Sequence, residues 1–358
     1  MARRSNIAFT MVFAAVLIAP TFASVCHWDP MGDIDEKRKL AERPTALRWS
    51  LNDMHHASET AQDWEKYFDD HFGLRKLLIG SYRLMTYYLL RTSPDPSVVL
   101  GESDGERRWL YLDPSINRDG IGFESSLGQK PYGPAELRTI ADQLRGVTAL
   151  VNAKRATLAI IVCPDKQTIY PEHLPPRLRP PPGTVSRLDQ FWIMAAGLDG
   201  VPLIDMRLPL WQSKSSMLLY YPSDTHWNWH AGFLAYQAIA DVLSRQDGAR
   251  ALSRFEGLQG ALGPRRVGDL TYLMGIPAIG GDLDWQPKFP EAGPKHGKLL
   301  VVGDSFFTFL APFFERQFAE VKLIRASVPA RTLLTPELLD AEKPDTVILE
   351  SVERLWTM

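Results

Sequence analysis

The fold of this chain is decided by residues 299–307, which read LLVVGDSFF. Four apolar residues in a row are typical of a short strand that is covered on both faces. Gly303 permits a tight turn after this strand, and Ser305 then stands at the start of a helix. A serine at such a turn is presented beside backbone N–H groups that can stabilise an oxyanion. The alternative is a plain capped helix with Asp304 or Ser305 as its N-cap.

Strands and helices alternate around this stretch. Apolar runs predict other strands at residues 157–163, 201–206, 321–324 and 346–349. Helices are predicted at residues 134–154, 186–198, 231–242 and 305–314. This alternation predicts an α/β fold with a doubly wound parallel sheet. Such sheets hold their ligands outside the carboxyl ends of the strands, which is where Ser305 falls.

A second motif, YYPSDTHWNWH at residues 220–230, precedes the helix predicted from residue 231. Asp224 and His226 are two residues apart, so the carboxylate can orient and polarise the imidazole. A serine is a weak nucleophile and needs such a base. The two motifs therefore predict a Ser305, His226 and Asp224 triad for acyl chemistry.

Metal binding and a purely structural histidine are the alternatives for the second motif. His226 and His230 are four residues apart and would share a helix face, with Asp224 as a third ligand. A zincin motif also requires a glutamate between the two histidines, and none is present here. We therefore expect neither a metal nor a cofactor.

The N-terminus has the pattern of an export signal. Arg3 and Arg4 precede an apolar run at residues 7–19, and Thr21 and Ala23 occupy the positions that a signal peptidase reads. An uncleaved anchor is the alternative, because the run approaches the ~20 residues that span a bilayer. Either segment would put the body of the protein outside the cytoplasm.

Composition excludes several classes of protein. The 358 residues carry a formal net charge of −2, which gives no support for nucleic-acid binding. The two cysteines exclude a disulfide-dense scaffold and a cysteine-rich zinc site. A mean hydropathy of −0.16 excludes a polytopic membrane protein. Because Cys163 ends a predicted buried strand, we expect Cys26 and Cys163 to be free thiols.

Taken together, GDSFF at residues 303–307 and DTHWN at residues 224–228 resemble a known family. It is the AlgJ/AlgX-like family of alginate O-acetyltransferases, which are SGNH-type acetyltransferases of bacterial exopolysaccharide export. Softer family-like stretches lie at residues 67–75, 164–175 and 343–354. The resemblance spans roughly residues 60–358.

The resemblance implies a circularly permuted SGNH-hydrolase-like sheet, because Asp224 and His226 precede Ser305 instead of following it. The strands at residues 321–324 and 346–349 then become the second and third strands after the serine strand. Those at residues 157–163 and 201–206 become the fourth and fifth.

One departure from the family pattern concerns the oxyanion. The third SGNH strand normally ends in Gly-x-Asn-Asp, whose Asn binds the oxyanion, but this chain has LESVER at residues 349–354. The candidates for a replacement donor are Asn228, Arg331 and Arg354. An internal ion pair between Glu350 and Arg354 is the alternative for that arginine.

The candidate sugar-binding residues are expected at the same edge of the sheet as Ser305, where the strands have their carboxyl ends. Lys166 and Tyr170 come after the strand at residues 157–163, and Trp227 could stack on a sugar ring, as could Trp109 and Trp229. A solvated loop and buried core tryptophans are the alternatives.

The resemblance implies an O-acetyltransferase that modifies an exported polysaccharide, alginate or similar, through an acetyl-serine intermediate in the periplasm. A membrane-bound acyltransferase would supply the acetyl group, and other exopolysaccharide export proteins would be partners. An acetyl esterase with the same triad and a non-catalytic polysaccharide-binding scaffold are the rivals. The predicted segments are a signal peptide or anchor (1–25), a linker (26–45), a helical extension with a hairpin (46–133) and the SGNH-like acyltransferase domain (134–358).

Overall fold

The structure is a computed structural model that describes residues 2–26, 39–44, 57–105, 107–113, 115, 122–246 and 252–356. The chain forms two compact units. The smaller contains Met1–Pro94 with Met274–Ile276, and the larger contains Asp95–Leu273 with Pro277–Met358.

The smaller unit contains helices α1 (Ala2–Val25), α2 (Ala57–His71) and α3 (Arg75–Tyr88). The part of α1 from Ile7 to Val25 has a hydropathy of 2.0 and is long enough to cross a membrane. Most of the predicted linker (26–45) and the first residues of the predicted helical extension (46–133) lie outside the described residues.

The larger unit is built on five parallel strands in the spatial order β4-β3-β9-β7-β8. They are β3 (Thr157–Cys163), β4 (Leu203–Asp205), β7 (Lys298–Gly303), β8 (Glu320–Arg325) and β9 (Thr346–Val352). Starting from β8, this is the order second, first, third, fourth and fifth that the permuted fold requires. The prediction of a permuted, doubly wound parallel sheet is therefore confirmed.

The continuous apolar runs in the central strands are explained by two hydrophobic cores. Alternate residues of β3 belong to different cores: Ala159 and Ile161 to one, Leu158 and Ile160 to the other. A strand covered on both faces cannot show the alternation of a half-exposed strand. Because side chains pack on both faces of the central strands, the carboxyl ends of these strands are held in fixed positions.

Helices cover both faces of the sheet. They are α4 (Phe123–Ser126), α5 (Pro134–Ala153), α6 (Lys166–Ile169), α7 (Arg187–Ala195), α8 (Arg207–Ser213), α9 (Trp229–Leu243), α10 (Asp269–Leu273), α11 (Ala311–Phe314), α12 (Pro336–Glu342) and α13 (Glu353–Trp356). The single helix expected at residues 305–314 is divided into a 3₁₀ helix, Ser305–Phe309, and α11. Pro312 explains the division, because its ring would clash with the carbonyl four residues earlier in a continuous α-helix.

Two hairpins complete the larger unit. Strands β1 (Val98–Ser103) and β2 (Arg108–Leu112) pair antiparallel, and Trp109 and Tyr111 of β2 lie in the core. This hairpin packs in the larger unit, although the sequence groups it with the helical extension. The region 254–297, which is rich in Gly and Pro, contains the hairpin of β5 (Gln259–Leu262) and β6 (Trp285–Lys288) together with α10.

Candidate active site

Ser305 lies at the carboxyl end of β7, at the first position of its 3₁₀ helix. Asp304 is the N-cap and accepts a hydrogen bond from the backbone N–H of Phe306 at 2.9 Å. Its second carboxylate oxygen accepts from the backbone N–H of Val352 in β9 at 2.7 Å. Asp304 is therefore the capping residue, and Ser305 is left half-buried at the surface of the site.

Gly303 is required because Glu350 approaches it from β9. A Cβ on Gly303 would lie 2.6 Å from Oε2 of Glu350, which is too close for any side chain. The same oxygen accepts from the backbone N–H of Asp304 at 2.9 Å. Burial raises the pKa of Glu350 well above its ordinary value, and the negative charge of Asp304 adds to this effect.

Ser305, His226 and Asp224 form a continuous hydrogen-bonded chain. Oγ of Ser305 is 2.7 Å from Nε2 of His226, and Nδ1 of His226 is 2.6 Å from Oδ1 of Asp224. The Asp224 side chain is 1% exposed and that of His226 is 16% exposed. Burial alone would raise the pKa of Asp224, but its contacts with His226 and Arg266 outweigh burial and lower it. The carboxylate can therefore stay ionised and hold the imidazole in one orientation.

The two motifs are joined by contacts between their own residues. Nε1 of buried Trp227 donates to the carbonyl of Phe306 at 3.0 Å. Gly232 in α9 lies against Phe309, where a Cβ would approach the Phe309 carbonyl to 2.5 Å. The segment of residues 220–230, here called the histidine segment, therefore packs directly against the 3₁₀ helix that begins at Ser305, here called the serine helix.

A second carboxylate beside His226, that of Asp269 in α10, was missed by the sequence reasoning. Its two oxygens accept from the backbone N–H and the hydroxyl of Thr225, at 2.7 and 2.5 Å. Oδ2 of Asp269 is 3.5 Å from Nδ1 of His226. Burial raises the pKa of Asp269, and the charge of Asp224 raises it further.

Arg266 was missed as well. Its Nε donates to Oδ2 of Asp224 at 3.3 Å, and its side chain is 39% exposed. The guanidinium carbon lies 5.2 Å from the ring centre of Tyr221 and 5.5 Å from that of Phe309. Arg266 therefore supplies a positive charge on the far side of Asp224 from His226.

Further aspartates of the same irregular region clamp the histidine segment. Asp282 accepts from both the backbone N–H and the hydroxyl of Ser223, at 2.9 and 2.7 Å. Asp284 accepts from the hydroxyl of Tyr221. Gly268 permits this close approach, because a Cβ at that position would lie 2.0 Å from the Ser223 carbonyl.

Lys166 does not face a substrate site, which corrects its prediction as a sugar-binding residue. It is 3% exposed, and its Nζ donates to the carbonyls of Tyr221, Pro222 and Asp224 at 3.1, 3.0 and 2.6 Å. Burial lowers the pKa of Lys166 to about 8. Lys166 therefore fixes the backbone of residues 221–224 through these three hydrogen bonds.

Two aromatic predictions are corrected in part. Trp227 is fully buried, so its ring cannot stack on a sugar. Tyr170 is 5% exposed and its hydroxyl accepts from the backbone N–H of Leu219 at 3.1 Å, although it does line a surface cavity. Trp109 is also buried, and half-buried Trp229 packs edge-on against Phe309.

The predicted oxyanion donors are engaged elsewhere. Oδ1 of Asn228 caps α9 by accepting from His230 and Ala231, while its Nδ2 donates to the Leu218 carbonyl at 2.6 Å. Arg331 donates to Gln143 at 2.9 Å and to the Trp356 carbonyl at 3.1 Å.

Arg354 forms an ion pair with Asp165, so the alternative of a pair with Glu350 is wrong. Its guanidinium carbon lies 5.6 Å from the ring centre of Phe306. The side chain therefore lies beneath the serine helix. Cys26 and Cys163 are both free, as expected.

Among the described residues, Asp224, His226 and Asp269 bring potential metal-ligand atoms within 4.8 Å of one another. His230 is not part of that group, because its ring stacks on Trp285 with centres 4.3 Å apart. Both nitrogens of His226 already have partners in Asp224 and Ser305. The alternative in which His226 and His230 act together as metal ligands is therefore not supported by this arrangement.

Comparison with known proteins places this site in context. Residues 98–291 match the family described as "SGNH hydrolase-like domain, acetyltransferase AlgX", a range that includes Asp224 and His226 and ends before Ser305. The probable alginate O-acetylase AlgJ of Pseudomonas putida is 26% identical over 182 residues, 51% of this chain and 43% of that protein. Its counterpart in Pseudomonas aeruginosa is 26% identical over 168 residues, 47% of this chain and 38% of that protein.

These alignments span less than half the length of the two relatives. Among solved structures, the chain is similar to the O-acetyltransferase domain of Pseudomonas putida AlgJ. The TM-score is 0.49 and the identity 21%, over 74% of this chain and 93% of that domain.

Proposed function

Because this chain belongs to the family of SGNH hydrolase-like AlgX acetyltransferase domains, we propose that it transfers acetyl groups to hydroxyls of an exported polysaccharide through Ser305. The observation that carries this proposal is the hydrogen-bonded chain from Ser305 through His226 to Asp224, at 2.7 and 2.6 Å. A nucleophile, a base and a group that orients the base are the parts that acyl transfer through serine requires.

In the first step, Nε2 of His226 removes the hydroxyl proton of Ser305 as Oγ attacks the carbonyl carbon of an acetyl donor. The bond between that carbon and the donor oxygen then breaks, and His226 returns the proton to the leaving oxygen. Ser305 is left as an acetyl ester. Asp224 stabilises the imidazolium that exists between the two proton transfers.

The second step reverses the roles. His226 takes the proton from a sugar hydroxyl, whose oxygen attacks the acetyl-serine carbon, and the proton then goes to Oγ of Ser305. The backbone N–H of Ser305, at the first position of the 3₁₀ helix, is the candidate donor to the developing oxyanion. Return of the proton to Oγ of Ser305 and release of the acetylated sugar restore the free enzyme.

The proposal includes an exported, anchored protein. The apolar length of α1 supports an anchor, and its C-terminal end contacts the turn after α2: a Cβ on Gly73 would meet the Pro20 carbonyl at 2.3 Å. A periplasmic location would bring Ser305 to the acceptor polymer. A membrane-bound acyltransferase as acetyl donor and other export proteins complete the proposal.

The acceptor class is taken from the relatives, which are named as alginate O-acetylases. We propose an exopolysaccharide, alginate or similar, for this chain. Its net charge of −2 offers no long-range attraction to a polyanion, so local contacts must select the polymer.

The test is transfer of acetyl from an activated acetyl ester to an exopolysaccharide oligosaccharide, followed by mass spectrometry of the sugar. The intact protein should add acetyl mass to the sugar, and the Ser305→Ala variant should lose at least about a thousandfold of that activity, since a missing nucleophile removes the covalent route. Its thermal unfolding midpoint should match that of the parent, because Ser305 is half-buried and small.

Two other outcomes would overturn the proposal in different ways. Release of free acetate with no acetylated sugar would identify an esterase that uses the same residues. Failure of a serine-directed probe to label Ser305, together with sugar binding, would identify a non-catalytic scaffold.

A further inference from the structure

A cavity of about 570 Å³ lies in the larger unit, and its lining residues Tyr170 and Leu218 contact the histidine segment or its neighbour Leu219. We propose that this cavity binds an uncharged pyranose ring of the acceptor polysaccharide, away from the reacting hydroxyl. This inference rests on the proposed function and narrows its acceptor to a polymer that contains uncharged rings, which excludes alginate itself, a polymer of uronates.

The wall of the cavity is aromatic and rigidly held. The rings of Trp109 and His173 stack with centres 4.4 Å apart and an interplanar angle of 10°. Tyr170 lies against the same tryptophan, with centres 4.6 Å apart. Gly101 permits the β1–β2 hairpin to approach this wall, since a Cβ there would lie 2.5 Å from the His173 carbonyl.

Trp211 supplies the open face. It lies in α8, is 43% exposed, and its Nε1 donates to the Thr168 carbonyl at 3.2 Å. An indole that is exposed but held by its nitrogen presents a flat apolar surface at little entropic cost. The C–H face of a pyranose is the natural partner of such a surface, because each group removes apolar area of the other from water.

The polar groups of the cavity indicate an uncharged ring. Among the described residues of the lining, Lys214 is the one lysine or arginine. Its Nζ already donates to both oxygens of Glu172, at 2.9 and 3.1 Å, and to the Ile169 carbonyl at 2.7 Å. Asp104 accepts from Nε1 of Trp109 at 3.2 Å and stays exposed. With two carboxylates against one neutralised cation, the lining accepts hydrogen bonds from sugar hydroxyls and repels a uronate carboxylate.

The cavity and the triad share a chain segment. Leu218 lines the cavity, and its carbonyl accepts from the side chain of Asn228, two residues after His226. The next residue, Leu219, donates its N–H to the hydroxyl of Tyr170 in the cavity wall. The cavity is therefore joined to the chain segment of His226 through Leu218 and Leu219.

The test measures equilibrium binding to the full chain carrying Ser305→Ala, which binds without turnover. The probes are neutral β-1,4-linked gluco-oligosaccharides and mannuronate oligosaccharides of equal length. Adding Trp211→Ala should weaken binding of the neutral oligosaccharide about threefold to tenfold, the value of one aromatic contact. Leu208→Ala, a change at another exposed apolar residue of the same helix, should leave binding unchanged.

Trp211→Phe keeps a ring and should retain most of the affinity, which separates stacking from any disturbance of α8. Unchanged affinity in the Trp211→Ala protein, or tighter binding of the mannuronate than of the neutral probe, would overturn the inference. Because the assay needs no acetyl transfer, binding that depends on Trp211 in a protein that never acetylates a sugar would refute the proposed function alone.

Discussion

At the scale of single residues, His226 has two carboxylates beside the same nitrogen. Asp224 is 2.6 Å from Nδ1 and Asp269 is 3.5 Å from it. The pKa of Asp224 is lowered and that of Asp269 is raised, so the first stays charged more readily than the second. Only Asp224 has the geometry to orient the imidazole, whereas Asp269 fixes the backbone of Thr225.

Substitution of each carboxylate by its amide should separate these roles. Asp224→Asn should lower kcat for hydrolysis of a small acetyl ester by about 10³ to 10⁴-fold, because the wrong tautomer of His226 is stabilised. Asp269→Asn should cost no more than about tenfold in kcat, because its oxygen still accepts from Thr225. Steady-state kinetics of both variants checks this, and equal losses would show that the two carboxylates act together on His226.

The contacts of Ser305 with His226 and of His226 with Asp224 could be predicted, because each residue lies in a short motif whose spacing has a chemical meaning. Asp269 and Arg266 could not, since they lie in an irregular region more than forty positions after Asp224 in the printed sequence. The sequence also could not indicate that Lys166 points inward. An inward lysine needs several backbone carbonyls as acceptors, and these come from a segment distant along the chain.

At the scale of elements, buried carboxyl groups at the carboxyl end of β9 hold the site together. Glu350 accepts from the backbone N–H of Asp304, which precedes the proposed nucleophile. Glu353 accepts from the backbone N–H of Asp165 at 2.9 Å and from the hydroxyl of Thr168 at 2.6 Å. This end of the strand therefore connects the serine turn to the loop after β3.

Glu353 makes stability depend on pH. Burial raises its pKa from 4.5 to about 8, with the charge of Asp165 adding to the effect. Because the folded state holds this proton more tightly than the unfolded state, the contribution is fully present below pH 4.5 and is lost as the pH rises through about 8. In the Glu353→Gln protein, the free energy of unfolding should lose this part of its fall with pH. The amide oxygen should still accept from the Asp165 N–H and the Thr168 hydroxyl.

Chemical unfolding at a series of pH values checks the prediction. The free energy of unfolding of the parent should fall relative to that of the Glu353→Gln protein as the pH rises from 4.5 to 8. Glu337→Gln, an exposed change in α12, should give a curve parallel to that of the parent. A parallel curve for Glu353→Gln as well would contradict a protonated Glu353.

Elements with a strong pattern were predicted closely. The run at 157–163 matches β3 at both ends, and the helix predicted at 134–154 matches α5 (Pro134–Ala153). The divided helix after Ser305 and the β5–β6 hairpin were not predicted. The hairpin is largely exposed, so it leaves little trace in the pattern of apolar residues. The 3₁₀ helix buries Phe306, Phe307 and Phe309, an apolar pattern that does not distinguish it from an α-helix.

At the scale of the whole molecule, the order of motifs along the chain was enough to predict the permuted sheet. Strand order follows from which apolar runs precede and follow the serine, and the family pattern assigns each a place. The packing of the β1–β2 hairpin in the larger unit could not be read in the same way, because its contacts through Trp109 and Tyr111 are with residues far along the chain.

Removal of α1 provides a test of anchoring. The intact chain should partition with membranes, because a helix of this apolar length matches the hydrocarbon thickness. Deletion of residues 2–25 should move the protein to the soluble fraction and leave hydrolysis of a small acetyl ester unchanged, since the triad lies wholly in the larger unit. A mature protein that is soluble and lacks α1 by intact mass would instead identify a cleaved signal.

The position of β9 has a consequence for how this molecule is made. It is the middle strand of the sheet and the latest of the five along the chain, so Thr157 and Thr346, which share a hydrogen bond, are 189 residues apart. Until residues 346–352 leave the ribosome, the halves β4-β3 and β7-β8 have no strand to join them, and Asp304 lacks its bond to Val352. In the exported protein that we propose, a chain that leaves amino-terminus first therefore keeps its sheet open until residues 346–352 have followed.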